Sequence, residues 1–234
     1  MTKIVSLLAC IALLVGCSTP ISKVDKSKNA MEGIKSITLI APREPWSYTV
    51  MNFADPGFVF KTMDIEVKVS ESQKQQVQLT DMLKRHSFSF SAELSTRIAE
   101  NLRRSGYQVT LQDGPWVQVN QGYSLKYADI QSNTDAVLVI APTVLGFVSP
   151  RDAKAYAPAI TTVVTLLNKD KTRKLYQGYL ATGWKPLDAG WDYAHTTQTF
   201  PTFDDVLSEP SKTLAALKEA SASIANLATR NISY

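Results

Sequence analysis

The chain has 234 residues, 44% hydrophobic and 20% charged, with 10 Gly, 11 Pro and 2 Cys. These numbers argue against a disordered chain, a collagen-like repeat and a disulfide-stapled mini-protein, and the length suits one domain, at most two. Lys and Arg outnumber Asp and Glu by 25 to 21, a formal charge of +4. The basic residues are dispersed and not interleaved with aromatics, which argues against nucleic acid as a partner.

Residues 1–17 read MTKIVSLLACIALLVGC. Lys3 is a positive start, and Ile4 to Val15 is an uncharged apolar run of about a dozen residues. That is short of the roughly 20 residues a spanning helix needs and fits the apolar region of a secretory signal peptide. The run ends in Leu14-Val15-Gly16-Cys17, which resembles the bacterial lipobox at all four positions. The resemblance implies cleavage before Cys17 and acylation of its thiol by palmitate-type chains. The mature chain would then have 218 residues and a charge of +3, because Lys3 and Cys10 leave with residues 1–16. It would hold no free thiol, so cysteine catalysis and cysteine metal sites drop out. One acyl chain holds a protein marginally, at about 0.8 kcal/mol per buried CH₂, whereas several make the anchor lasting. Ser18 matches the outer-membrane-sorted class of such lipoproteins, in which Asp at that place signals retention in the inner membrane.

Residues 18–33 are largely polar, with one Pro and little periodicity, and with Cys17 read as a flexible tether carrying Lys23, Lys26 and Lys28. One domain is expected over 34–234. KSITLIAP, 35–42, reads as a buried first strand ended by Pro42. Residues 43–62 read as irregular and aromatic, with Trp46, Tyr48, Phe53, Phe58, Phe60 and a turn at Asp55-Pro56-Gly57. DIEVKV, 64–69, alternates and predicts a half-buried strand. A helix is predicted over about 89–105, with Leu94, Ile98 and Leu102 on one face and Gly106 after its basic last turn. Tyr107–Leu111 reads as a strand, and AVLVIA within 134–141 as a central strand buried on both faces. Residues 144–149 and 159–168 read as further strands, and Arg173–Thr182 as a hairpin partner across the Asn168–Thr172 turn. A last helix over about 210–230 carries an apolar face of mostly small residues, Leu214, Leu217, Ser221, Ile224 and Ala228. That face fits packing on the sheet, with a homo-oligomer seam as the alternative.

The fold class is therefore α+β, a mixed, largely antiparallel sheet covered by two main helices. The phrase Thr134-Asp135-Ala136-Val137-Leu138-Val139, and Val163–Leu167 before a Lys169-Asp170 turn, give a layout. It resembles the periplasmic α/β domain of the curli-secretion lipoprotein and of the lipoprotein activators of penicillin-binding proteins. The glycine that follows the buried strand in that family is replaced here by Ala141-Pro142, and 43–86 has no counterpart. Function is not carried over from a likeness of layout.

No Walker, GxGxxG, GxSxG or HExxH motif occurs, and no cofactor is expected. His86 follows Lys84-Arg85, and His195 has only Asp192 at a close spacing, so no metal site is expected. The densest unusual stretch, 179–195, holds Tyr179, Trp184, Trp191, Tyr193 and His195 with Asp188 and Asp192. Aromatic faces with polar tips suit sugars or peptides, while plain cover for a sheet edge is the competing reading. The candidate binding patch is Trp184, Trp191, Tyr193 and His195, with Trp46 and Tyr48 joining from the second aromatic loop. The expected function is a non-catalytic binding or assembly factor, anchored by Cys17 in the bacterial outer membrane and facing the periplasm. Its partner would be an envelope protein or peptidoglycan. The alternative is an envelope-polymer hydrolase using His195 and a nearby acid.

Overall fold

Ile37, Thr38, Leu39 and Ile40 are all buried, so the first strand, β1 (Ser36–Ala41), has no solvent face. Ile37 and Leu39 enter the larger core and Ile40 a smaller one on the opposite side. Thr38 is buried among these aliphatics because its hydroxyl pairs with Ser132 (2.8 Å) and Thr134 (2.9 Å). The computed structural model describes residues 23–25, 31–53, 62–119, 122–150, 153, 155–184 and 190–233, with the backbone alone over 62–71 and at 122. Residues 1–22, with the lipobox and Cys17, and the Asp55-Pro56-Gly57 turn, Phe58, Phe60 and Asp188 lie outside the described residues.

The other elements are β2 (Thr49–Asn52), α1 (Thr62–Arg85), α2 (Phe90–Arg104), β3 (Gln108–Asp113), β4 (Trp116–Val119), β5 (Gly122–Leu125), β6 (Ala136–Ser149), β7 (Ala157–Asn168), β8 (Lys174–Thr182), β9 (Trp191–Ala194), α3 (Phe203–Ser208) and α4 (Pro210–Ile232). The seven-stranded mixed sheet runs β3-β1-β6-β7-β8-β9, with β2 pairing on β6. The long strands β6, β7 and β8 are antiparallel, and the short flanking strands join in parallel. AVLVIA is buried on both faces as expected. Leu138 and Ile140 face the helices, and Val137 and Val139 face the smaller core under the β4–β5 hairpin.

Several expected features differ: the stretch 43–62 read as irregular contains the strand β2, and α1 adds a third long helix to the two expected. The segment 64–69 is not a strand but part of the 24-residue helix α1. Its alternation is outweighed by the helical spacing that follows, where Leu79, Met82 and Leu83 are buried at i, i+3 and i+4. Residues 144–149 are not a separate strand but the second half of β6. Pro142 and the register shift beside it fall in the gap between Val139, where β1 stops, and Gly146, where β2 starts. The folded unit also reaches into 17–33, for Met31 is a core residue and Val24 exchanges both backbone hydrogen bonds with Gln177 of β8 (3.0 and 2.9 Å). Lys23 pairs with Asp192 at 3.3 Å.

Helix α4 turns its small face inward, burying Ala216, Ala220, Ser221, Ala225 and Ala228 against β7, β8 and α2. A seam for a second copy is thus covered within the chain. At the lower end of β1, Asp135 accepts from the backbone N–H groups of Lys35 (3.0 Å) and Ser36 (2.9 Å) and from the Ser36 hydroxyl (2.8 Å). These donors, the Lys35 N–H first, hold its carboxyl below the usual carboxylate range. A depressed carboxylate stabilises the fold fully above its ordinary pKa of about 3.9 and loses that effect as pH falls through its folded value. Asp135→Asn should therefore melt below the wild type at pH 7, and the two melting curves should converge as the pH is taken below about 4.

Candidate binding surface

The two aromatic loops of the sequence do meet, but through Phe53. Residue 53 follows β2 and 184 follows β8, and both strands finish at the same end of the sheet. There the rings of Phe53 and Trp184 stack, with centroids 5.5 Å apart and planes at 29°. At that end β9 also delivers Tyr193 and His195, whose rings meet edge to face at 5.0 Å. Trp191 lies lower on β9 and packs edge-on against Tyr179 of β8 at 5.5 Å. Beside it Asn231 donates to both Tyr176 (2.9 Å) and Asp192 (2.7 Å). His195 is exposed, and its ring contact is with Tyr193. Among the described residues no cluster of three His, Cys, Asp or Glu could hold a metal ion, and no helix is long and apolar enough to cross a membrane.

Trp46 and Tyr48 stand elsewhere. Tyr48 is a core residue, 3% exposed, so it adds nothing to a surface. Burial, then the hydrogen bond to Glu44 (2.6 Å), pushes its phenol far above the ordinary tyrosine range. Trp46 is 51% exposed and meets Tyr123 edge to face at 5.5 Å, its ring N–H donating to the Tyr123 hydroxyl. The Arg43 guanidinium lies 5.0 Å from the Tyr123 ring centroid. The Trp46 N–H, and then Arg43, hold the Tyr123 hydroxyl below its ordinary pKa.

Arg43, Trp46 and Tyr123 rim a crevice of about 430 Å³ at the carboxyl ends of β1 and β3. Topology opens it. The connection from β1 to β3 crosses the helical face through α2, whereas the connection from β3 to β6 crosses the opposite face through the β4–β5 hairpin. Neighbouring strands whose connections leave to opposite faces part at their carboxyl ends, the usual place for a ligand in an open sheet. Trp116 closes the floor, its ring N–H donating to the Ala41 carbonyl (3.0 Å). Glu44 closes the helical side. It accepts from the Phe90 N–H (3.2 Å), the Ser91 N–H (2.9 Å) and the Ser89 hydroxyl (2.9 Å), so the first turn of α2 already holds a carboxylate. A second depression, of about 480 Å³, lies between α2 and α4 beside His86, where Arg97 is engaged by Glu93.

No family model and no curated sequence matches the chain. Among solved structures it is similar to protein XCC0632 from Xanthomonas campestris, of family-model DUF330, at 9% identity over 91% of this chain and 92% of that one, with a TM-score of 0.42. It is similar also to the PelC dodecamer from Paraburkholderia phytofirmans, at 9% identity over 91% and 96%, with a TM-score of 0.36. Lipoprotein GNA1162 from Neisseria meningitidis aligns at 13% identity over 63% and 81%, with a TM-score of 0.22.

Arg43, Glu44, Asp113, Trp116 and Tyr123 were not among the residues that the sequence marked. The signal that finds them is positional: each of Arg43, Glu44, Asp113 and Trp116 stands at or within three residues of the carboxyl end of a parallel strand. Tyr123 comes with the hairpin that follows.

Proposed function

We propose that the chain is a lipid-anchored bacterial envelope protein that works by binding, without catalysing a reaction. It is held by Cys17 in the outer membrane with its α+β domain facing the periplasm. Its partner is an envelope protein or peptidoglycan. The observation that carries the anchor is Leu14-Val15-Gly16-Cys17 at the close of an uncharged apolar run. What supports binding is the exposed aromatic surface, above all Trp46 beside an open crevice. Metabolic labelling with an alkyne analogue of palmitate tests the anchor. The wild type should take up label and stay with membranes after a high-salt wash, and Cys17→Ser should lose the label entirely. Label that persists on Cys17→Ser would overturn the reading. Crosslinking in intact envelopes tests the partner, and recovery of neither peptidoglycan nor an envelope protein counts against it.

A further inference from the structure

From the crevice at the carboxyl ends of β1 and β3 we infer a binding site for an acidic glycan, a pyranose chain that carries carboxylates. Trp46 gives the platform. Its N–H is already engaged by Tyr123, so the free part of the indole is its apolar face, which suits the C–H face of a sugar ring. Tyr123 stands nearly at right angles to it, at 81°, and makes a corner. Arg43 gives the charge. It is exposed, and among the described residues it is the only cation lining the crevice and pairs with no carboxylate. Asp113 also lines the crevice and is exposed, an acceptor for sugar hydroxyls.

The same residues weigh against other ligands. A phosphate or nucleotide needs several convergent donors, and the N–H groups that could supply them at the start of α2 are held by Glu44. One guanidinium matches one carboxylate in bidentate fashion. An extended peptide binds best along a strand edge, whereas this crevice lies beyond the strand ends and offers no ladder.

The inference deepens the binding half of the proposed function and does not depend on the lipid. The test is calorimetric titration of the detergent-solubilised full chain with hexa-galacturonate, with the neutral hexamer of N-acetylglucosamine, and with an acidic hexapeptide. Hexa-galacturonate should bind at least tenfold more tightly than the neutral hexamer. Trp46→Ala should weaken both glycans about tenfold, and Trp46→Phe should keep most of the affinity. Arg43→Ala should weaken the acidic glycan about tenfold and leave the neutral one unchanged. Both side chains are on the surface, and an unchanged melting curve verifies that each variant folds. Equal affinity for the two glycans, tighter binding of the peptide, or full affinity in Arg43→Ala would overturn the site. Because palmitate labelling does not depend on the titration, its loss and the loss of glycan binding report separate failures.

Discussion

Gly146→Ala should lower the melting temperature by about 5–15 °C. Gly146 lies opposite Thr49 in the β2–β6 pair with φ at +149°. A Cβ there would stand 2.0 Å from the Thr49 carbonyl oxygen and 2.8 Å from its nitrogen. Both are backbone atoms, so relief requires moving β2 itself. Moving β2 disturbs Tyr48 and Val50, which are buried against the helices. Strain of about 1–3 kcal/mol and lost packing together give about 2–4 kcal/mol, at roughly 2–4 °C per kcal/mol for a chain of this size. Gly106→Ala is the control. Gly106 has φ +93°, and a Cβ added to it would meet nothing within 4 Å, so its cost is conformational alone, about 1 kcal/mol. Thermal melts followed by circular dichroism check both, and equal losses in the two variants would refute the clash.

Glu44→Ala should cost about 2–3 kcal/mol, or roughly 5–10 °C. The carboxylate ties the loop after β1 to α2 and to the core. It accepts two backbone N–H groups of the first helical turn, the Ser89 hydroxyl and the Tyr48 hydroxyl. Removing it leaves the helix amides unpaired beside a buried phenol. Glu44→Gln should lose less, since an amide oxygen still accepts. The gap left by alanine fits a free carboxylate. Acetate should therefore raise the melting temperature of Glu44→Ala more than that of the wild type, by linkage to the folded state. An equal response in both would mean that the carboxylate is not the stabilising group.

Neither residue announces its role locally, whereas other parts of the fold do. The run AVLVIA announces a strand covered on two sides because burial acts on each residue where it stands, and β6 is so covered. The spacing of Leu94, Ile98 and Leu102 announces α2 for the same local reason. The helix at 62–85 was hidden because six alternating residues resemble a strand, and the deciding contacts of Leu79, Met82 and Leu83 lie further along the chain. The crevice was hidden more deeply. Arg43 and Tyr123 are 80 positions apart, and nothing local to either foretells that two crossings on opposite faces bring them together. The Phe53–Trp184 stack is legible only as an abundance of aromatics in two loops, because pairing partners depends on strand order.

The hydrogen bonds between Val24 and Gln177 bear on how the molecule stands. They fasten the incoming chain to β8, with Lys23 against Asp192 of β9 beside it. An acyl group on Cys17 would sit six residues before Lys23, a reach of at most about 20 Å. The domain would then hang from one flank on a short stay. The β8–β9 border would face the bilayer and the β1–β3 border, three strand spacings or about 14 Å further across from β8 to β1, would face away. With Cys17 acylated, such a stance would bear on orientation as well as address and turn Arg43 and Trp46 toward the aqueous side.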